Sequence, residues 1–157
     1  MRHISRAIFM IAAFAAFSAA RADPGEGGSY AQTQDPVLAQ VVEASRAKDW
    51  PRAAEILRGA LAKSPDNADY HNLYAFALRK GPDPDMKLVF QHYREALRVD
   101  PKHRGAHEYI GEAYLMVDDL AKALEHLEVL DRLCFFPCDE YSDLKKAIAE
   151  YQKRAPR

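Results

Sequence analysis

Two cysteines are the residues of this chain whose type and spacing most directly suggest chemistry. Cys134 and Cys138 are the only cysteines in the 157 residues, and they enclose Phe135-Phe136-Pro137. Pro137 ends a helix and favours extended geometry at Phe136, which brings the two Cβ atoms within disulfide reach. An even cysteine count in an exported chain favours a disulfide, and closing so small a loop contributes about 2 kcal/mol. We expect a structural disulfide that fixes the angle of the next helix.

The alternative is a periplasmic thiol-redox or soft-metal site that uses Cys134 and Cys138. The C-x3-C spacing is weak evidence for it, because thioredoxin-like catalysis uses C-x-x-C and structural zinc normally needs four ligands. His126 precedes Cys134 by eight residues, and His103 and His107 are one helical turn apart, where they could share a face and hold copper or zinc. Basic residues on both sides of His103 oppose a cation. We predict no metal and no cofactor.

Acid–base catalysis and nucleic-acid binding find little support. Two acidic pairs, Asp118-Asp119 and Asp139-Glu140, stand where helices are predicted to begin, so helix capping explains them. The sequence contains no Gly-rich phosphate loop, G-x-S-x-G elbow or H-E-x-x-H motif. The formal net charge is −1 and the pI about 6.6, which gives no basic field for nucleic acid or anionic lipid. We therefore predict neither an enzyme nor a nucleic-acid-binding protein.

The first 22 residues are predicted to be a signal peptide of the Sec type. Arg2 and Arg6 precede an apolar run over 7–20, which ends in Ala20-Arg21-Ala22. This run is shorter than the roughly 20 residues that cross a bilayer. We expect cleavage after Ala22, no stable membrane insertion afterwards, and a periplasmic or secreted protein. Cleavage leaves 19 basic and 23 acidic residues, a net charge of −4 that favours solubility.

The remaining chain divides into a leader and a helical region. Residues 23–36 are rich in glycine and small polar residues and predict a flexible leader. After Pro36, apolar residues recur at spacings of three and four almost to the end, and no stretch alternates as a strand does. The pattern predicts an all-α protein.

One spacing of small and apolar residues occurs three times. Residues at 12, 8 and 5 positions before Pro65 match residues at identical distances before Pro101, and a third set follows the same spacing. These sets predict three units, over about 37–66, 67–102 and 103–136. Their members are Ala53, Leu57 and Ala60, then Val89, Tyr93 and Ala96, then Ala123, Leu127 and Leu130.

The units resemble the tetratricopeptide repeat, a motif of about 34 residues that forms two antiparallel helices. The third unit matches best, with His107 at the usual Trp position, then Ile110-Gly111, Tyr114, Ala123 and Leu127 at the family's spacing. In the second unit we align Tyr70 with the Trp position that His107 occupies in the third unit. The resemblance covers about 37–152 and implies a right-handed superhelical solenoid of three helix pairs. A charged helix with an apolar stripe, over 139–154, is predicted to cap it.

The resemblance also implies where a ligand binds. In this family the first helix of each pair lines a concave groove, and extended or helical peptides are bound there. We expect an interaction module, such as an adaptor or assembly factor, whose partner is a peptide segment of an envelope or secreted protein. Val42, Ala75 and Glu112 stand where relatives that clamp a peptide carboxylate have Asn, which disfavours that specialised function. The predicted groove residues are Leu38, Val42, Arg46, His71, Ala75, Leu78, Arg79, Glu108, Glu112, Leu115 and Met116.

Overall fold

The computed structural model describes residues 35–136 and 138–154, so the predicted signal peptide and most of the leader lie outside the described residues. Seven helices and no strand occur in this part of the chain, which confirms the all-α prediction. The helices are α1 (Pro36–Arg46), α2 (Trp50–Leu61), α3 (Ala68–Lys80), α4 (Met86–Val99), α5 (Arg104–Met116), α6 (Leu120–Leu133) and α7 (Asp139–Arg154).

Side-chain caps explain where the first six helices begin. In each of them the residue before the first turn accepts a hydrogen bond from a backbone N–H of that turn, which satisfies a donor the helix itself leaves unpaired. The helical region therefore starts slightly earlier than predicted, because Asp35 caps α1 and Pro36 occupies its first turn. The capping residues are Asp35, Asp49, Asn67, Asp85, His103 and Asp119.

The turns between the two helices of a pair take two forms. In the first and third units a residue with positive φ, Lys48 or Asp118, precedes the aspartate that caps the next helix. In the second unit the longer segment 81–85 replaces this tight turn. Both forms reverse the chain, so consecutive helices pack antiparallel.

The helices form two layers. The first helices of the pairs (α1, α3 and α5) make one layer, and the second helices (α2, α4 and α6) make the other. Each second helix packs against its own partner and against the first helix of the next pair, and α7 closes the stack by packing on α5 and α6. This is the arrangement of a helical solenoid.

The hydrophobic core follows this one-dimensional order. Three buried clusters lie along the stack: the first joins α1 and α2 to α3, the second joins α3 and α4 to α5, and the third joins α6 to α7. Leu57 is fully buried in the first cluster, Tyr93 in the second and Leu144 in the third. The contacts that stabilise each unit therefore come mainly from its immediate neighbour.

Candidate functional site

Two histidine pairs fix the alignment of the second and third units. His71 in α3 places Nε2 2.7 Å from the carbonyl oxygen of Pro65, and its Nδ1 lies 2.8 Å from Nδ1 of His92 in α4. The third unit repeats this arrangement: His107 contacts the carbonyl oxygen of Pro101 at 3.1 Å and Nδ1 of His126 at 2.9 Å. His71, not Tyr70, is therefore the counterpart of His107.

This alignment corrects the groove prediction in the second unit by one residue. The counterparts of Glu108, Glu112, Leu115 and Met116 are Asn72, Phe76, Arg79 and Lys80. The predicted His71, Ala75 and Leu78 correspond instead to His107, Gly111 and Tyr114 and lie on the side of α3 that packs into the protein. Tyr70, which suggested the wrong alignment, points towards the first unit and donates a hydrogen bond to Asp35 at 2.6 Å.

Burial separates the other predicted groove residues into two groups. Leu38 and Glu108, like Asn72 at the same position of the second unit, are buried and present almost no surface. Val42, Glu112 and Leu115 are half-buried, while Arg46 and Met116 are exposed. In each first helix the predicted residue nearest the N-terminus is therefore buried, and the accessible surface comes from residues nearer the C-terminal end. Peptide binding by these residues stays a prediction.

An ion pair links α3 to α5 beneath this surface. Nη2 of Arg79 lies 2.7 Å from a carboxylate oxygen of Glu112, and the Arg79 side chain is only 5% exposed. The guanidinium also lies over the rings of Phe76 and Tyr109, 5.5 and 5.8 Å from their centroids. Aromatic faces attract a cation, so these contacts hold a buried charge in place. Arg79 is part of the scaffold of the groove, and little of it is accessible to a ligand.

Glu108 is a buried carboxyl group one helical turn before Glu112. Burial is the main cause that raises its pKa to about 8, and the negative charges of Glu112, Asp143 and Glu140 add to this effect. Glu108 is therefore largely protonated at neutral pH. A neutral carboxyl group here limits the negative charge that accumulates between α5 and α7.

An open cleft lies between α3, α5 and α7. It measures roughly 600 Å³, and Leu115, Met116 and Ala147 give it an apolar part. Charged and polar groups surround this part, and the Tyr151 hydroxyl donates to Asp118 at 3.0 Å across the end of the cleft. Apolar contacts surrounded by a few charges suit the binding of a polypeptide segment. The polar and charged lining residues are Arg79, Glu112, Asp118, Glu150, Tyr151 and Arg154.

The two cysteines form a small ring at the other edge of α7. Cys134 and Cys138 are joined by a disulfide with a Cα–Cα distance of 5.8 Å, and the ring connects the end of α6 to the start of α7. Phe135 and Phe136 in this ring are 92% and 76% exposed. The imidazole of His126 bonds to that of His107.

The two histidines suggested as a metal pair each bond to other groups. Nδ1 of His103 accepts from the backbone N–H of Ala106, and its Nε2 bonds to Asp69 at 3.0 Å. Both nitrogens of His107 are occupied by Pro101 and His126, so the two imidazoles share no open coordination position. Within 35–136 and 138–154, no three His, Cys, Asp or Glu side chains are grouped as a metal site. None of the helices described there is long and apolar enough to span a bilayer.

Comparison with known proteins shows the fold. No known family profile matches the chain, and no curated protein is significantly similar in sequence. Among solved structures, the TPR2B domain of yeast Sti1, determined as a pHsp70 complex, is similar with a TM-score of 0.66. The similarity covers 76% of this chain and 95% of that domain at 18% sequence identity. The chain therefore has the tetratricopeptide-type fold, a solenoid of helix pairs.

Proposed function

We propose that this chain is an exported interaction module that binds a peptide segment of another protein in the cleft between α3, α5 and α7. The observation that carries the proposal is the cleft itself, where exposed Met116 and half-buried Leu115 lie among charged groups. The Sti1 domain of similar fold was solved as a pHsp70 complex, which supports a protein or peptide as the ligand class. An adaptor or assembly factor for envelope or secreted proteins fits these features.

Substituting Met116 with glutamate should weaken peptide binding at least tenfold. The new charge would lie in the apolar part of the cleft, beside Glu112 and Asp118, where a central apolar contact carries much of the affinity. Peptides selected from a displayed random library against residues 23–157 supply the ligand, and fluorescence polarisation gives the Kd.

The matched control is Leu124→Glu, which adds the same charge at an exposed apolar residue of α6, in the other layer. This variant should bind within about twofold of the original protein. Equal losses in both variants, or a library that yields no binder, would contradict peptide binding in the cleft.

Export follows from residues 1–22 and has its own test. We expect the full-length chain, expressed in a Gram-negative host, to be recovered from the osmotic-shock fraction or the medium with Asp23 as its first residue. N-terminal sequencing of the protein in that fraction identifies its first residue. Replacing the apolar residues Ile11 and Phe14 by aspartate should keep the protein inside the cell. If the original protein, like this variant, stays unprocessed in the cytoplasm, export is refuted.

A further inference from the structure

The two histidine pairs occupy corresponding places in consecutive units and join the same three segments each time. In each pair, one imidazole comes from the first helix of the unit and the other from the second helix, and a proline carbonyl from the preceding loop completes the contact. The first unit has Val37 and Ile56 at the corresponding places, and both pack against its hydrophobic cluster. The first unit therefore has two apolar residues where each of the other two units has a histidine pair.

The hydrogen bonds determine how each neutral pair carries its protons. A carbonyl oxygen only accepts, so Nε2 of His71 carries a hydrogen and donates to Pro65. In a neutral imidazole the other nitrogen is then a lone pair, so Nδ1 of His71 accepts from Nδ1–H of His92. The same argument assigns Nε2–H to His107 and Nδ1–H to His126.

This arrangement accepts one additional proton and resists a second. A first proton can bind Nε2 of His92, because the Nδ1–H of that ring still donates to His71. A second proton must go to Nδ1 of His71. Two hydrogens would then face each other across a nitrogen–nitrogen distance of 2.8 Å, and the pair must separate. His107 and His126, at 2.9 Å, have the same limit.

We propose that the two histidine pairs are an acid-sensitive switch, which holds the two helices together in the second and third units at neutral pH and releases them when a pair takes up its second proton. Burial supports this role, because His71 and His107 are each 7% exposed. Burial also lowers the pKa of His92 and His107, and it lowers that of His126 to about 4.

Charged and other titratable groups surround both pairs. In the described part of the chain, the first pair faces Tyr74 of α3 and Glu95 of α4, and that carboxylate favours an added proton. The second pair faces His103 and Lys122, which oppose a proton, and Asp100 and Glu125, which favour one. Tyr114 of α5 also lies against His126.

The pH dependence of stability has a definite sign. Unfolded histidines take up protons at their ordinary pKa of about 6.5, whereas the folded pairs take up fewer, so acidification through this range favours the unfolded chain. Glu108 acts in the opposite direction, because its raised pKa stabilises the folded chain as the pH falls from about 8. A comparison of variants that all retain Glu108 cancels this contribution.

The experiment compares the original protein with the double variant His92→Asn/His126→Asn in thermal unfolding at pH 7.5 and 5.0. An asparagine amide can donate to His71 or His107 when these are neutral and rotate to accept from them when they are protonated, so the conflict disappears. The loss in Tm on acidification should be at least about 5 °C smaller in the double variant. The control Gln91→Asn places an asparagine at an exposed, non-titrating position of α4 and should follow the original protein.

Parallel Tm profiles in the original protein and the double variant would overturn the proposal. If the double variant does not fold, nitrogen-15 spectra of the original protein decide the question. We expect each pair to take up one proton before a second. Four independent titrations near pH 6.5 in the folded protein would also overturn it.

Discussion

Replacing Arg79 by leucine is expected to lower the free energy of unfolding by about 3 kcal/mol, because Glu112 then keeps a half-buried charge without its partner. The Arg79 side chain is 5% exposed and that of Glu112 27%, so water compensates the carboxylate only in part. The substitution also removes the contacts of the guanidinium with the rings of Phe76 and Tyr109. Urea unfolding followed by circular dichroism measures the change.

Two controls separate the buried ion pair from general effects of mutation. The double variant Arg79→Leu/Glu112→Gln removes the uncompensated charge and should recover stability to within about 1 kcal/mol of the original protein. Arg52→Leu breaks the exposed pair between Arg52 and Glu55 and should change stability by less than about 0.5 kcal/mol. If Arg79→Leu costs no more than Arg52→Leu, the ion pair does not support the groove.

Alanine substitution should have opposite effects at two helical glycines. A Cβ at Gly111 would lie 2.7 Å from a methyl group of Leu144, whereas a Cβ at Gly59 would meet nothing within 4 Å. Gly59→Ala should therefore stabilise the protein by about 1 kcal/mol through helix propensity. Gly111→Ala should destabilise it by about 1.5 kcal/mol, because the fully buried Leu144 must shift in a packed core.

The double-mutant cycle with Leu144→Ala tests this close approach of α5 and α7. Leu144→Ala alone should cost about 3 kcal/mol through the cavity that it leaves. In that protein Gly111→Ala no longer overlaps a side chain and should raise stability by about 1 kcal/mol. Additive effects in the cycle would show that α7 does not pack on Gly111 as described.

Much of the fold could be predicted because its determinants are local. Aspartate at the start of a helix and proline at the end of a unit mark boundaries that depend only on nearby residues. Ala53, Val89 and Ala123 occupy the same position of their units, and all three are fully buried at close helix contacts that recur in every unit. These signals predict three helix pairs and a capping helix without reference to tertiary contacts.

The details of the groove could not be predicted in the same way. In the second unit two aromatic-like residues are adjacent, and the contacts show that His71 packs inside while Tyr70 reaches Asp35. The burial of Arg79 depends on a carboxylate thirty-three residues away. The spacing of thirty-six residues that His71 and His107 share, each six residues after a proline, could have given the correct alignment.

The most direct test of peptide binding in the cleft is a map of amide chemical-shift changes on labelled residues 23–157 as the tightest selected peptide is added. We expect the largest changes at Leu115, Met116 and Tyr151, with small changes in α2, α4 and α6. Changes confined to the disulfide ring or to the second-helix layer would contradict binding in the cleft.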